Sequence, residues 1–302
     1  MTTQQPAMQS ETEWDKFFFP QLELSDSTRK VFETYSKIPP NEVMNHCYAI
    51  VRHILLCYRS PTVNPSEQRE KAWSIHPYPC IGMGRFLQMA IGNHHLYQPE
   101  ILPRMLRGDQ NYLDLGCAFA QDIRRLVADG VDSRNCYGAD LQLDFLDLGY
   151  ELFRDRETLQ STFITADIFD PASGLMEIQG TIDIVDASSF FHLFSWDDQK
   201  AAAHTVTKLL KPQKDSIVVG RQMGHVDGGE FTRRNEKGLG FRHNAETWRR
   251  MWNEVGVEAG VQFSAEAILK PIPRELKDAM QSQSRPEDEG SVSMEFSVRR
   301  LN

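Results

Sequence analysis

From Asn111 onward the chain repeats one local pattern: a short apolar run, a sharp break, then a stretch of helical periodicity. "YLDLG" precedes "DIRRLVADGV", "CYGADL" precedes "DFLDLGYELF", and "IDIVDASS" precedes "DDQKAAAHTVTKLLKP", while "TFITADIF" and "SIVVGRQM" are further apolar runs. Alternation of this kind predicts parallel strands joined by right-handed crossovers, an α/β doubly wound, Rossmann-like sheet. Two later strand-like runs, "GVQFSAEAILK" and "SVSMEFSVRR", have only a polar loop between them, and are expected as an antiparallel hairpin completing a seven-stranded sheet. The ligand of such a sheet lies across the carboxyl ends of the strands, near the point where strand order reverses.

Residues 1–105 read differently, as an N-terminal helical cap on a core formed by residues 106–302. Apolar residues there recur near the 3.6 period, Ser25 or Asp26 suits a helix N-cap, and Pro39-Pro40 interrupts. In "HPYPCIGMGRFLQMAI", from His76, two prolines and two glycines force ordered turns before a helix expected to begin near Arg85. Such a segment is suited to covering something.

Asp114, Asp140, Asp167 and Asp186 each fall at or just beyond the expected carboxyl end of a successive strand, about one βα unit apart. The turn "LDLGCAFAQD" keeps one glycine, Gly116, and has Ala118 and Ala120 where a dinucleotide loop has more glycine. Their methyl groups crowd a pyrophosphate, and the Asp114 carboxylate repels one while attracting a cationic amino acid moiety. Asp140, 26 residues beyond Asp114, suits ribose hydroxyls. Asp167-Ile168-Phe169 offers an acid to the edge of an adenine and an apolar side chain to its face. Charge therefore selects S-adenosyl-L-methionine over a dinucleotide, and a nicotinamide-dependent dehydrogenase is disfavoured by the missing G-x-G-x-x-G.

Composition excludes other classes. The net charge is −9 and no run of Lys or Arg exceeds two residues, so nucleic acid is not expected as a partner. No apolar segment reaches the roughly 18–20 residues of a membrane span, and "MTTQQPAMQSETEWDK" lacks the features of a secretory signal, so a cytoplasmic protein without membrane association is expected. Cys47, Cys57, Cys80, Cys117 and Cys136 read as reduced, mostly buried thiols, and His94-His95 lacks a third ligand at helical spacing, so no metal is expected.

The series "LDLGCAFAQD", "YGADL", "TADIFD", "IDIVDASSFFHL" and "LLKP" resembles the motifs of class I S-adenosylmethionine-dependent methyltransferases over about residues 106 to 225. The stretches "YPCIGMGRFL" and "GRQMGHVDGGEF…GFRHNAETWRRMWNEVG" extend the likeness to fungal secondary-metabolite O-methyltransferases that esterify carboxyl groups of meroterpenoid intermediates. The resemblance implies that Asp114, Leu115 and Gly116 border the methionine part, Asp140 and Leu141 the ribose, and Asp167, Ile168 and Phe169 the adenine. Asp186, Ala187 and Ser188 then form the floor beside the sulfonium, and His192 is placed as the catalytic side chain facing the transferring methyl.

For the acceptor, an ionised carboxylate requires a cation or donor to position it, whereas a phenol requires a general base. Arg221 is a candidate carboxylate clamp, with Gln222 beside it and His225 in the glycine-rich stretch that follows. Tyr78 and Arg85 come from the cover segment, and Arg242 and His243 are weaker candidates in the later one. Trp248 and Trp252, four apart, read as one core-facing helix stripe, and Phe17-Phe18-Phe19 as an apolar docking edge. The expected activity is methylation of a small lipophilic carboxylic acid or phenol in meroterpenoid or polyketide biosynthesis. A non-catalytic methyltransferase-like regulator is the alternative. The first helices are able to cover their own site or a partner's, which leaves a homodimer open.

Overall fold

The computed structural model describes residues 24–47, 84–233, 238–272, 277 and 288–302. Helix α1 (Asp26–Lys30) is capped by Ser25, whose hydroxyl accepts from the Thr28 N–H at 3.2 Å, and it runs into a π-helical turn over Val31–Tyr35. Gly84 and Met89 are left-handed, at φ 62° and 46°. A left-handed residue cannot continue a right-handed helix, so the helix expected near Arg85 is replaced by two 3-10 turns, Arg85–Gln88 and Ala90–Asn93. The described part of the cap is thus a chain of short turns, ending in a π turn over Tyr97–Ile101 and α2 (Leu102–Leu106).

The core follows as β1 (Tyr112–Leu115), α3 (Gln121–Ala128), β2 (Cys136–Asp140), α4 (Leu143–Phe153), β3 (Thr162–Thr165), β4 (Ile184–Asp186) and α5 (Trp196–Leu209). It continues with β5 (Ile217–His225), β6 (Gly229–Thr232), β7 (Leu239–Arg242), α6 (Ala245–Ala259), β8 (Phe263–Lys270) and β9 (Ser291–Arg300). Seven strands form one sheet in the order β3-β2-β1-β4-β5-β9-β8. The expected doubly wound sheet is present, with β1 to β5 parallel and the order reversing between β1 and β4. The closing pair is antiparallel as expected, but β9 inserts between β5 and β8 and pairs antiparallel with both.

Burial explains the apolar runs. β1 and β4 are covered on both faces and are buried at every residue, whereas β3, on the open edge, is not. Trp248 and Trp252 lie wholly inside one layer with Phe191, Phe263 and Phe296, confirming their core role. The other layer joins the cap to the core: Phe32 stacks on Phe153 at 5.1 Å, and Phe86 meets Phe119 at 4.6 Å. Burying each such side chain contributes about 1.5–3 kcal/mol.

The stretch after "SIVVGRQM", expected as a glycine-rich loop, is instead ordered. β5 runs on to His225, and β6 and β7 form a separate two-stranded hairpin. Gly240 permits that pairing, since a Cβ there would lie 2.5 Å from the Phe231 ring. Cys47, Cys117 and Cys136 are buried free thiols, whereas Cys57 and Cys80, like Phe17 to Phe19, lie outside the described residues. Among the described residues no helix is long and apolar enough to cross a membrane.

Candidate active site

The turn after β1 adopts the path a glycine-rich loop would take, with alanines in it. Gly116, Ala118 and Ala120 are all left-handed, at φ 76°, 46° and 49°. For each alanine this costs about 1–2 kcal/mol. Their methyl groups offset part of that cost, because Ala120 is fully buried and Ala118 packs against the Phe86, Phe119 and Phe145 cluster. Hydrogen bonds hold the rest of the turn. The Ala139 carbonyl accepts from the Gly116 and Cys117 N–H groups at 2.8 and 3.1 Å, and the Asp140 Oδ2 accepts from the Ala118 N–H at 2.8 Å.

Beneath the turn lies Arg124, fully buried, which the sequence presents only as one basic residue of an amphipathic helix. Its Nη1 donates to the Phe119 carbonyl at 2.6 Å, and its Nε and Nη2 form a fork on Asp155 at 2.7 and 2.9 Å. Tyr35 donates to the same carboxylate at 2.6 Å. One network thus binds the cap, α3 and the end of α4 to the loop backbone.

Three carboxylates converge at the mouth of β1. Asp114 and Asp186 stand opposite one another on adjacent parallel strands, and both are buried. Asp186 accepts from the Ser188 N–H at 2.9 Å and the Tyr112 hydroxyl at 3.1 Å, whereas the Asp114 Oδ2 is buried without a partner. Asp122, overlooked in the sequence because an acid in the first turn of a helix ordinarily only complements the helix dipole, is the third, and it is buried too. Burial, with the neighbouring Asp122 charge second, raises Asp186 to about 7. Burial and the charges of Asp122, Asp186 and Asp140 push Asp114 well above the carboxylate range.

This has a measurable consequence for the free protein. An unfolded aspartate titrates near 3.9, so a group with a higher folded value binds its proton more tightly when folded. The stabilisation it contributes is complete below about pH 4 and is lost as pH rises through about 7. In urea unfolding of the free protein between pH 5 and 8, Asp186→Asn is expected to gain on the parent by on the order of 2 kcal/mol. Parallel curves would show that Asp186 is ionised throughout that range.

Asp140 uses both oxygens on backbone, accepting from Ala118 and, at 2.9 Å, from the Gln142 N–H. Each oxygen keeps a second lone pair. Beside it the rim is apolar: Leu141 is 56 % exposed and Phe169 42 %. Asp167 is exposed and turns its Oδ1 to the Phe169 N–H at 2.9 Å, Ile168 is buried, and Phe169 meets Phe194 edge-on at 5.1 Å. Ala187 is fully buried and Ser188 half-buried, its hydroxyl accepting from the Arg221 N–H at 3.3 Å.

Across the reversal point, His192 is carried by a 3-10 turn over Phe191–Leu193, and its backbone N–H donates to the Gln222 Oε1 at 3.1 Å. Its Nδ1 and the Gln222 Nε2 are buried and have no partner. Burial, together with the charges of Arg242, Arg85 and Arg221, pushes the imidazole down to about 3. Arg221 also donates to Gln88 of the cap at 3.2 Å.

Other candidates are engaged by protein partners. His225 is tied into the strand region, donating from Nε2 to the Glu289 carbonyl at 2.6 Å and accepting the Asp227 N–H at Nδ1. Arg242, though near His192 in charge, is anchored to Asp288 and Ser291 at 3.0 Å, and His243 is buried between Gln199 and Thr247. Tyr78 lies outside the described residues. His94, His95 and Glu295 approach one another, but the two His94 nitrogens are engaged by the Phe296 carbonyl and the Leu96 N–H, and Glu295 also pairs with Lys270 at 3.0 Å. That donor set forms a hydrogen-bonded ion-pair network.

A doubly wound sheet with this order, a tight turn after β1, buried acids at the ends of β1 and β4 and a half-buried one at the end of β2 defines a class I methyltransferase scaffold. The sequence narrows it. Residues 17–87 match the meroterpenoid methyltransferase N-terminal domain and residues 113–213 a methyltransferase domain. O-methyltransferase phiE of a fungal species is 42% identical over 261 residues, covering 85% of this chain and 79% of its own. O-methyltransferase atr3 of Stereocaulon alpinum is 41% identical over 80% of this chain and 65% of its own. The Asnovolin E/Chermesin D methyltransferase nvfJ of Aspergillus novofumigatus is 37% identical, covering 80% and 81%. The chain belongs to the family of methyltransferases that these fungal proteins represent, and it is an S-adenosylmethionine-dependent methyltransferase.

Proposed function

We propose that this enzyme methylates a carboxylate oxygen of a small lipophilic acid, giving a methyl ester. The observation that carries the reading is His192, held neutral among Arg85, Arg221 and Arg242. A base poised near 3 is ineffective toward a phenol, which must lose its proton, whereas a carboxylate is ionised at pH 7 and needs only to be positioned. Arg221, whose guanidinium meets the neutral Gln88 side chain, favours an anion at this place, and the unpartnered Gln222 Nε2 is a donor for one.

For the cofactor, the residues fit. The buried Asp114 Oδ2 lacks a donor, and among the described residues no ion pair engages Asp114, Asp122 or Asp186, so a cation is accommodated there. Asp114 and Asp186 would hold the methionine end, Asp140 the ribose, and Ile168 and Phe169 with Leu141 the adenine. Bound there, S-adenosylmethionine supplies a methyl group on an already activated sulfonium; the protein aligns the acceptor and excludes water.

Screening lipophilic carboxylic acids by product mass and fragmentation tests the ester directly. In Arg221→Met, loss of one charge-assisted hydrogen bond, about 1.5–3 kcal/mol, is expected to raise the acceptor KM by roughly 10–150-fold and leave cofactor affinity within threefold. A product methylated on a phenol, nitrogen or carbon would sink the proposal.

A further inference from the structure

We infer that Asp122 is a third carboxylate of the cofactor site, and that cofactor binding expels a proton which it shares with Asp114 and Asp186. The inference rests on the placement of the cofactor proposed above. It begins from a local oddity: a first-turn helix acid is ordinarily exposed, but Asp122 is 2% exposed. Its Oδ1 accepts the Ile91 N–H at 2.8 Å, from the cap, and its Oδ2 accepts the Gln121 Nε2 at 2.9 Å. The cap therefore clamps this carboxylate inward.

The groups facing the set are few. β1 contributes Tyr112 and Asp114, the turn after it the Cys117 thiol, β4 Asp186, β2 Asp140 and the Cys136 thiol, α3 Asp122 with Arg125, and β5 Arg221. Arg125 is engaged by Asp129 at 2.7 Å and Arg221 reaches Gln88, so neither neutralises the three acids by direct pairing. Three buried carboxylates without a paired cation cannot all be ionised at modest cost. The free protein meets the deficit with a proton, and burial accordingly raises Asp122, Asp114 and Asp186. S-adenosylmethionine carries a net positive charge, and a positive charge delivered beside the unpartnered Asp114 Oδ2 removes the reason for that proton. The proton passes to solvent, and no bond in the cofactor changes. Affinity then rises with pH until the set is ionised in the free protein.

A role limited to tethering the cap would be met equally by asparagine, which retains an acceptor for the Ile91 N–H. Charge separates the two roles. Calorimetric titration of the full chain with S-adenosylmethionine, in phosphate and in Tris, counts the protons released from the difference in heat. The parent is expected to release between a half and one proton per cofactor near pH 6.5, and its affinity to rise roughly tenfold from pH 6 to pH 8. Asp122→Asn is expected to bind with buffer-independent heat and a flattened pH dependence, and Asp122→Glu to restore release. Binding by the parent with equal heats in both buffers would overturn the inference while leaving the cofactor site intact, and this arm needs no variant to fold. Proton release unchanged in a folded Asp122→Asn would also overturn it. An absence of binding in the parent would remove the cofactor placement itself, and the inference with it.

Discussion

Arg124→Met is expected to lower the unfolding free energy of the free protein by about 3–5 kcal/mol, the cost of leaving one member of a buried ion pair behind. Both partners are inside, with Arg124 at 0% and Asp155 at 3% exposure. Methionine restores much of the volume that lies against the Phe153 and Tyr150 rings, 4.8 and 5.3 Å from the guanidinium, so the loss isolates the charge and its hydrogen bonds. The Phe119 carbonyl loses its donor and Asp155 keeps only the Tyr35 hydroxyl. The measurement is the urea midpoint at unchanged slope. The double variant Arg124→Met/Asp155→Leu removes the stranded carboxylate and is expected to recover at least half of the loss. A single variant within 1 kcal/mol of the parent would show that the network does not hold the loop.

That network explains why one local reading of the sequence held and another missed. The alternation of apolar runs and helical stretches is local, and so are the acids at or near the ends of successive parallel strands; both were legible and both are found at β1, β2 and β4. Whether Ala118 and Ala120 keep the turn open was not local, because intrinsic propensity disfavours left-handed alanine and the compensation comes from Arg124, Asp155 and Tyr35, the last 120 residues from its partner. Asp122 escaped notice for the same reason, since its burial depends on an N–H from 31 residues upstream. The anchoring of His225 is equally non-local, since the carbonyl that engages its ring lies 64 residues away. The order of β9 and β8 was equally hidden: alternation within a strand says which face is buried, and nothing about which neighbour it meets.

Asp140→Ala is expected to weaken S-adenosylmethionine binding by roughly 10²–10⁴-fold, through two losses of similar size. The first is within the protein: the Ala118 N–H, held at 2.8 Å by the Asp140 Oδ2, is left without its acceptor, and a left-handed alanine without that restraint relaxes toward right-handed conformations. The second is at the ligand, where the remaining lone pairs of the carboxylate are placed to accept from ribose hydroxyls. Hydrogen bonds to a charged acceptor contribute about 1.5–3 kcal/mol each, and two such losses give the stated range. Asparagine is a poor substitute, since its amide donor would face the N–H of either Ala118 or Gln142, so Asp140→Asn is expected to fall nearer to Asp140→Ala than to the parent. Calorimetry measures the affinity, and a thermal melt without cofactor isolates the loop contribution. Binding by Asp140→Ala within threefold of the parent would mean that Asp140 neither braces the loop in the bound state nor meets the ribose, and the cofactor would have to be placed elsewhere along the strand ends.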